Sequence, residues 1–201
     1  VPEYKQVFGK GEITKVWGTT TETHPTIWFD VPYPASNIKS MEFILKDDAR
    51  PANEIYRTAL TPPATPGIIG VSLPTSAPSL KVGTSYEWFL KVNFQCDAVA
   101  STSEQIHGWV QRVTPNAALI GQLKQLSPQQ QATLLAENGL WYETVTTLAQ
   151  FRRTNPQDAS LTNAWNLLLQ SVGLQTLSPK PLVDCCTPSK SLSPSPASVK
   201  P

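Results

Sequence analysis

The sequence predicts an immunoglobulin-like β-sandwich of about seven strands, followed by a small α-helical unit resembling a tetratricopeptide repeat, α+β overall. Three observations carry this expectation. Short runs of period-two alternation recur between residues 12 and 114, as half-buried strands require. Nineteen prolines, against one methionine, fall mostly between those runs, where a fixed φ and a missing N–H stiffen turns without interrupting a sheet. After Pro115 the apolar spacing changes from two to three and four.

Seven runs read as strands. ITKVWG (13–18) is the first and weakest. TIWFDV (26–31) sets Ile27, Phe29 and Val31 against Thr26, Trp28 and Asp30. SMEFILK (40–46) sets Met41, Phe43 and Leu45 against Glu42, Ile44 and Lys46. EIYRTAL (54–60) follows the polar turn DDARPAN, and IIGVSL (68–73) follows TPPATPG. In YEWFLKVNF (86–94), Tyr86, Trp88, Leu90, Val92 and Phe94 share one face; IHGWVQRV (106–113) completes the set. Seven such runs at regular spacing are the signature of a sandwich.

About four helices are expected over 115–174. NAALIGQLKQL carries Leu119, Leu123 and Leu126. The next has Ser127 as N-cap, Pro128 at its first position and Gly139 as its stop. LWYETVTTLAQFRRTNP follows with Leu140, Thr144, Leu148 and Phe151 on one stripe. The last is capped by Asp158, carries Leu161, Trp165, Leu168, Leu169 and Val172, and ends at Gly173. Ala132, Gly139, Trp141, Thr144, Leu148, Phe151 and Pro156 partly follow a tetratricopeptide unit of ~34 residues. Thr144 and Phe151 replace its usual alanines. A single repeat cannot bury its own face, so the hairpin must dock on the sandwich, on other helices or on a partner.

The organisation read from sequence is therefore an N-terminal extension (1–11), the sandwich (12–114), the helical unit (115–174), a cysteine-containing return segment (175–186) and a disordered Ser/Pro-rich tail (187–201). A formal net charge of +1 argues against nucleic acid or an anionic membrane as partner. No apolar run approaches the ~18 residues of a membrane span. Without an initiator Met or apolar leader, the sequence reads as a mature or trimmed chain.

Chemistry is sparse. His24 precedes a proline and His107 lies in the last strand, neither with metal-ligand spacing. GKGEITK (9–15) lacks phosphate-loop spacing, and Asp47 and Asp48 lack that of a calcium loop and read as a polar turn. No G-x-S-x-G occurs. We therefore expect no enzyme, no cofactor and no metal site. Trp28 and Trp88 read as core or seam residues. Trp17, Trp109, Trp141 and Tyr142 are the candidate interaction surface, and exposed Trp17 or Trp109 could stack on sugars. Adjacent on a helix, Trp141 and Tyr142 point about 100° apart, so one can pack in the hairpin while the other reaches the sandwich. Arg152 and Arg153 suit a helix C-terminus.

Seven stretches in order, PTIWFDVPYP, LTPPATPGIIGVSLP, LKVGTSYEWFLKV, GWVQRVTPNAAL, LWYETVTTLAQFRRTNPQD, AWNLLLQSVGL and VDCC, cover about residues 13–186. Together they resemble DUF928, a family of secreted, mainly cyanobacterial proteins. The resemblance implies export and carries over no catalytic or ligand residue.

Cysteine usage fits an exported protein. Cys96 follows the strongest strand, and Cys185 and Cys186 follow the last helix. A disulfide from Cys96 to Cys185 or Cys186 is expected, closing a loop of ~90 residues for about 4–5 kcal/mol. A vicinal Cys185–Cys186 bond is the alternative. Together these readings predict a non-enzymatic, extracytoplasmic structural or protein-interaction component of the cell envelope or matrix. A self-assembling filament or multimer subunit, in which residues 1–11 add to a neighbour's sheet edge, and a carbohydrate-binding module using exposed Trp are the alternatives.

Overall fold

The computed structural model describes residues 17–49, 52–94 and 102–186. These form a mixed α+β structure with seven strands and four α-helices. The strands are β1 (Trp17–Thr20), β2 (Thr26–Val31), β3 (Ile38–Asp47), β4 (Glu54–Leu60), β5 (Gly67–Ser72), β6 (Ser85–Phe94) and β7 (Ser103–Arg112). The helices are α1 (Ala117–Leu123), α2 (Pro128–Glu137), α3 (Trp141–Thr154) and α4 (Ala159–Ser171). The expected N-terminal extension, the Ser/Pro tail, residues 13–16 of the first expected strand and Cys96 lie outside the described residues.

The strands make two sheets, ordered β1-β7-β6-β3-β4 and β2-β5. All pairs are antiparallel except β1 with β7, which run parallel with Trp17 opposite Trp109. Alternation decides the inner faces as the sequence predicts. Tyr86, Trp88, Leu90 and Val92 of β6, with Met41, Phe43 and Leu45 of β3, meet Ile27, Phe29 and Val31 of β2 in one core. Phe29 stands edge-on to both Trp88 (5.4 Å between centroids) and Phe43 (6.3 Å), fastening the two sheets face to face. Such edge-to-face pairs add about 0.5–1.5 kcal/mol beyond the area they bury.

Helix boundaries follow local chemistry. Ser127 accepts from the Gln130 amide while the Gln130 side chain accepts from the Ser127 amide, a capping box with Pro128 in the first turn of α2. Asp158 caps α4 through the amides of Ser160 and Leu161. Gly139, at φ 73°, turns the chain from α2 into α3.

Helices α2, α3 and α4 cover the smaller sheet. Ile68 and Trp28, on the face of β2-β5 that points away from the sandwich core, join Ala132, Val145, Leu148, Leu161 and Trp165 in a second core. Thus β2-β5 is buried on both faces, which explains the continuous burial of Phe29, Asp30 and Val31 where strict alternation was expected. After α4 the chain returns along β5. The Ile68 amide donates to the Pro181 carbonyl (2.8 Å), and the Val183 amide donates to the Ile68 carbonyl (2.9 Å).

Candidate interaction surface

The outer face of the five-stranded sheet is built by the residues that alternate with the core set. Register brings Trp17 beside Trp109, Trp109 beside Glu87, and Glu87 beside Lys46. One row along, His107 lies beside Phe89 and Phe89 beside Ile44. Trp17 is 42% exposed, unusual for a tryptophan, whereas Phe89, His107 and Trp109 are half-buried and Ile44 is buried among them.

These side chains form a connected layer. The His107 imidazole stacks on Phe89 (5.6 Å, 17° between planes) and meets Trp109 at 5.1 Å. Its Nδ1 lies 2.8 Å from Glu87 Oε1, a pairing that orients the ring and favours the proton on that nitrogen. Lys46 Nζ sits 5.1 Å from the Phe89 centroid, within cation–π range. At the β4 edge, Arg57 bridges Glu42 (2.9 Å) and Glu54 (2.7 Å). The arginine hydrogen bond holds the Glu54 carboxyl below its ordinary pKa. The result is an aromatic strip flanked by paired charges of both signs.

The four residues expected at a surface divide. Trp17 and Trp109 share the outer face as register partners. Trp141 is half-buried and packs against both cores. Tyr142 is corrected: it is 4% exposed and belongs to the sandwich core. Its hydroxyl accepts from Trp88 Nε1 (2.9 Å) and donates to the Trp109 carbonyl (2.9 Å), so it is spent inside the molecule. Burial holds the phenol well above its ordinary pKa.

The cysteines also take the alternative arrangement. Cys185 and Cys186 are bonded to each other, which leaves neither sulfur for the expected bridge to Cys96. Cys186 adopts a left-handed backbone (φ 73°), the one described non-glycine residue to do so. The Cys96 end of the expected bridge lies outside the described residues.

Other predicted polar positions have structural work. Asp47 accepts from the amides of Ala49 and Asn53 and from the Asn53 side chain, closing the β3–β4 turn. His24 joins Thr23 and the Ala77 carbonyl. Among the described residues no group of three or more His, Cys, Asp and Glu side chains is placed to hold a metal ion. None of their helices is long and apolar enough to cross a membrane.

Three structural contacts escaped the sequence reading. Glu143 Oε1 accepts from Thr20 Oγ1 (3.0 Å), the Thr21 amide (2.5 Å) and Thr21 Oγ1 (2.9 Å), tying α3 to the end of β1. Asp30, only 9% exposed, pairs with Lys180 (2.5 Å). Gly108 stands opposite Trp88, where a Cβ would lie 2.3 Å from the indole. An isolated glycine within a strand marks such close approach, so this last contact left a readable signal in IHGWVQRV.

A family model described as Domain of Unknown Function (DUF928) matches residues 1–182, and the chain belongs to that family. No curated protein matches the chain.

Proposed function

We propose that this DUF928 protein is a non-enzymatic, extracytoplasmic interaction component of the cell envelope or matrix, which docks a protein partner on the outer face of its five-stranded sheet. One observation carries the reading: the larger sheet presents Trp17, 42% exposed, on an aromatic strip that faces away from the sandwich core. Exposed aromatic side chains ringed by charges are the composition of a binding hot spot.

The strand order supports an immunoglobulin-like assignment for the sandwich. With β7, β6 and β3 as the central strands, β4 is the strand that variable-type domains add, and β2-β5 is the opposing layer. Ala132 and Thr144, both buried in the α2–α3 hairpin, support a tetratricopeptide-like assignment. Docked on β2-β5, that hairpin braces the sandwich from the side opposite the proposed face.

Placing a photo-crosslinking residue at position 17 in source cells tests the proposal, with position 167 on α4, 57% exposed, as the control. A discrete protein adduct is expected from position 17 alone and is lost with Phe89→Glu. Equal adducts from both positions, or none, would refute the docking face, and recovery in the cytoplasmic fraction would refute the location.

The side-by-side placement of Trp17 and Trp109 favours one second reading, a platform for a sugar ring. Retention by protease-treated envelope polysaccharide, lost in Trp17→Ala, would establish it over the protein partner.

A further inference from the structure

A cavity of about 60 Å³ lies between the outer face of β2-β5 and the helices α3 and α4. Trp28, Ile68, Trp141, Val145 and Leu177 make most of its wall apolar, and Asp30 and Trp165 also line it. Each of these two carries a buried polar atom without a partner: Asp30 Oδ1, an acceptor, and Trp165 Nε1, a donor. Both residues are more than nine-tenths buried, at 9% and 1% exposure. Orphaned polar atoms at that depth are rare, since each forfeits its hydration.

Water alone fits poorly. The volume equals roughly four to six waters at about 10–15 Å³ each, and a buried water makes about three hydrogen bonds. Two orphan atoms among apolar walls supply few of the bonds such a cluster needs. An organic molecule with an apolar body needs only one donor and one acceptor. Lys180 Nζ, 2.5 Å from Asp30 Oδ2, already compensates the carboxylate charge, which favours a neutral occupant.

We propose that the cavity is a binding site for a compact neutral amide, whose N–H donates to Asp30 and whose carbonyl accepts from Trp165. The return segment closes the site: Leu174 and Leu177 line it, and Lys180, Pro181 and Val183 hold the segment to Asp30 and Ile68. The site lies across the sandwich from the proposed docking face and stands or falls independently of it.

Isobutyramide is the probe. Titrated into ¹⁵N-labelled protein, it is expected to shift the Trp165 indole N–H resonance saturably. Trp165→Phe keeps one aromatic six-membered ring and removes the pyrrole ring with its donor; read at the Trp28 and Trp141 indoles, it should weaken binding by at least the order of tenfold that one lost hydrogen bond gives. Val145→Leu, which takes up part of the cavity and leaves both polar atoms, should weaken binding. An unsaturable shift, or unchanged affinity in either Trp165→Phe or Val145→Leu, would overturn the proposal. So would occupancy by water only, seen as a nuclear Overhauser effect from the Trp165 indole proton to water that isobutyramide fails to displace.

Discussion

The phenol oxygen of Tyr142 lies 2.9 Å from the indole nitrogen of Trp88, and this contact joins helix α3 to the centre of the sandwich. Trp88, 2% exposed, is among the largest fully packed side chains, and its N–H has no water to turn to. Tyr142 accepts from that donor and donates its own hydrogen bond to the Trp109 carbonyl. One hydroxyl thus satisfies a buried donor and a strand carbonyl while committing the helix to a single docking position.

Tyr142→Phe keeps the packing and strands the Trp88 donor, so a loss of about 1–3 kcal/mol is expected in urea unfolding. The same residue sets an alkaline limit. Its folded pKa is raised by burial, so the stabilisation is complete below the unfolded value of about 10 and falls as pH rises above it. The slope is about 1.4 kcal/mol per pH unit until the folded phenol ionises. Denaturation midpoints compared between pH 9 and 11 should show this decline in the parent protein, and Tyr142→Phe should lack that component.

Gly108→Ala attacks the same contact from the opposite strand. The added methyl would meet the Trp88 indole at 2.3 Å, and neither the strand backbone nor a core indole can yield cheaply. Overpacking of this kind costs about 1–3 kcal/mol. Loss of the Trp88 near-ultraviolet circular dichroism signal alongside lowered stability is the expected result, whereas stability loss alone would point to backbone effects.

The elements were readable because local chemistry determines them. Alternation in β6 identified its buried face residue by residue, and Ser127, Pro128, Asp158 and Gly139 marked the helix ends they occupy. Docking was not readable, because it depends on residues far apart in sequence. Tyr142 adjoins Trp141 on the helix, and nothing local says which one enters the sandwich. The burial of Asp30 follows only once the helices lie on β2-β5. On the larger sheet, pairing of Trp17 with Trp109 required the parallel register of β1 and β7, which a four-residue strand does not announce.

Glu143 should prove a structural carboxylate. Glu143→Ala removes the acceptor of two hydroxyls and the Thr21 amide and should cost about 1–3 kcal/mol. Glu143→Gln retains an acceptor oxygen and should cost less, since it loses only the charge assistance. Chemical denaturation of both variants checks the order.

Non-reducing peptide mapping addresses the sulfurs. With Cys185 and Cys186 joined, the peptide containing them should resist alkylation until reduced and then take two labels. Cys96 should alkylate in the unfolded, unreduced protein. A Cys96 peptide linked to either partner would replace the vicinal arrangement with the long-range staple.

The Asp30–Lys180 pair gives the clearest test of how the return segment is held. Lys180→Met leaves a carboxylate with 9% exposure without its cation, and breaking a buried pair from one side costs about 3–5 kcal/mol. Because Lys180 keeps 32% of its side-chain surface, the cost should fall near the lower end of that range. Asp30→Asn combined with Lys180→Met removes both charges and should recover much of the loss, a coupling of about 0.5–3 kcal/mol in the double-mutant cycle. Hydrogen exchange separates local from global effects. The Ile68 and Val183 amides bond between β5 and the segment, so in Lys180→Met they should exchange faster while the amides of β6 keep their protection. Equal acceleration throughout would mean that the ion pair supports the whole fold and that the segment is no separate unit.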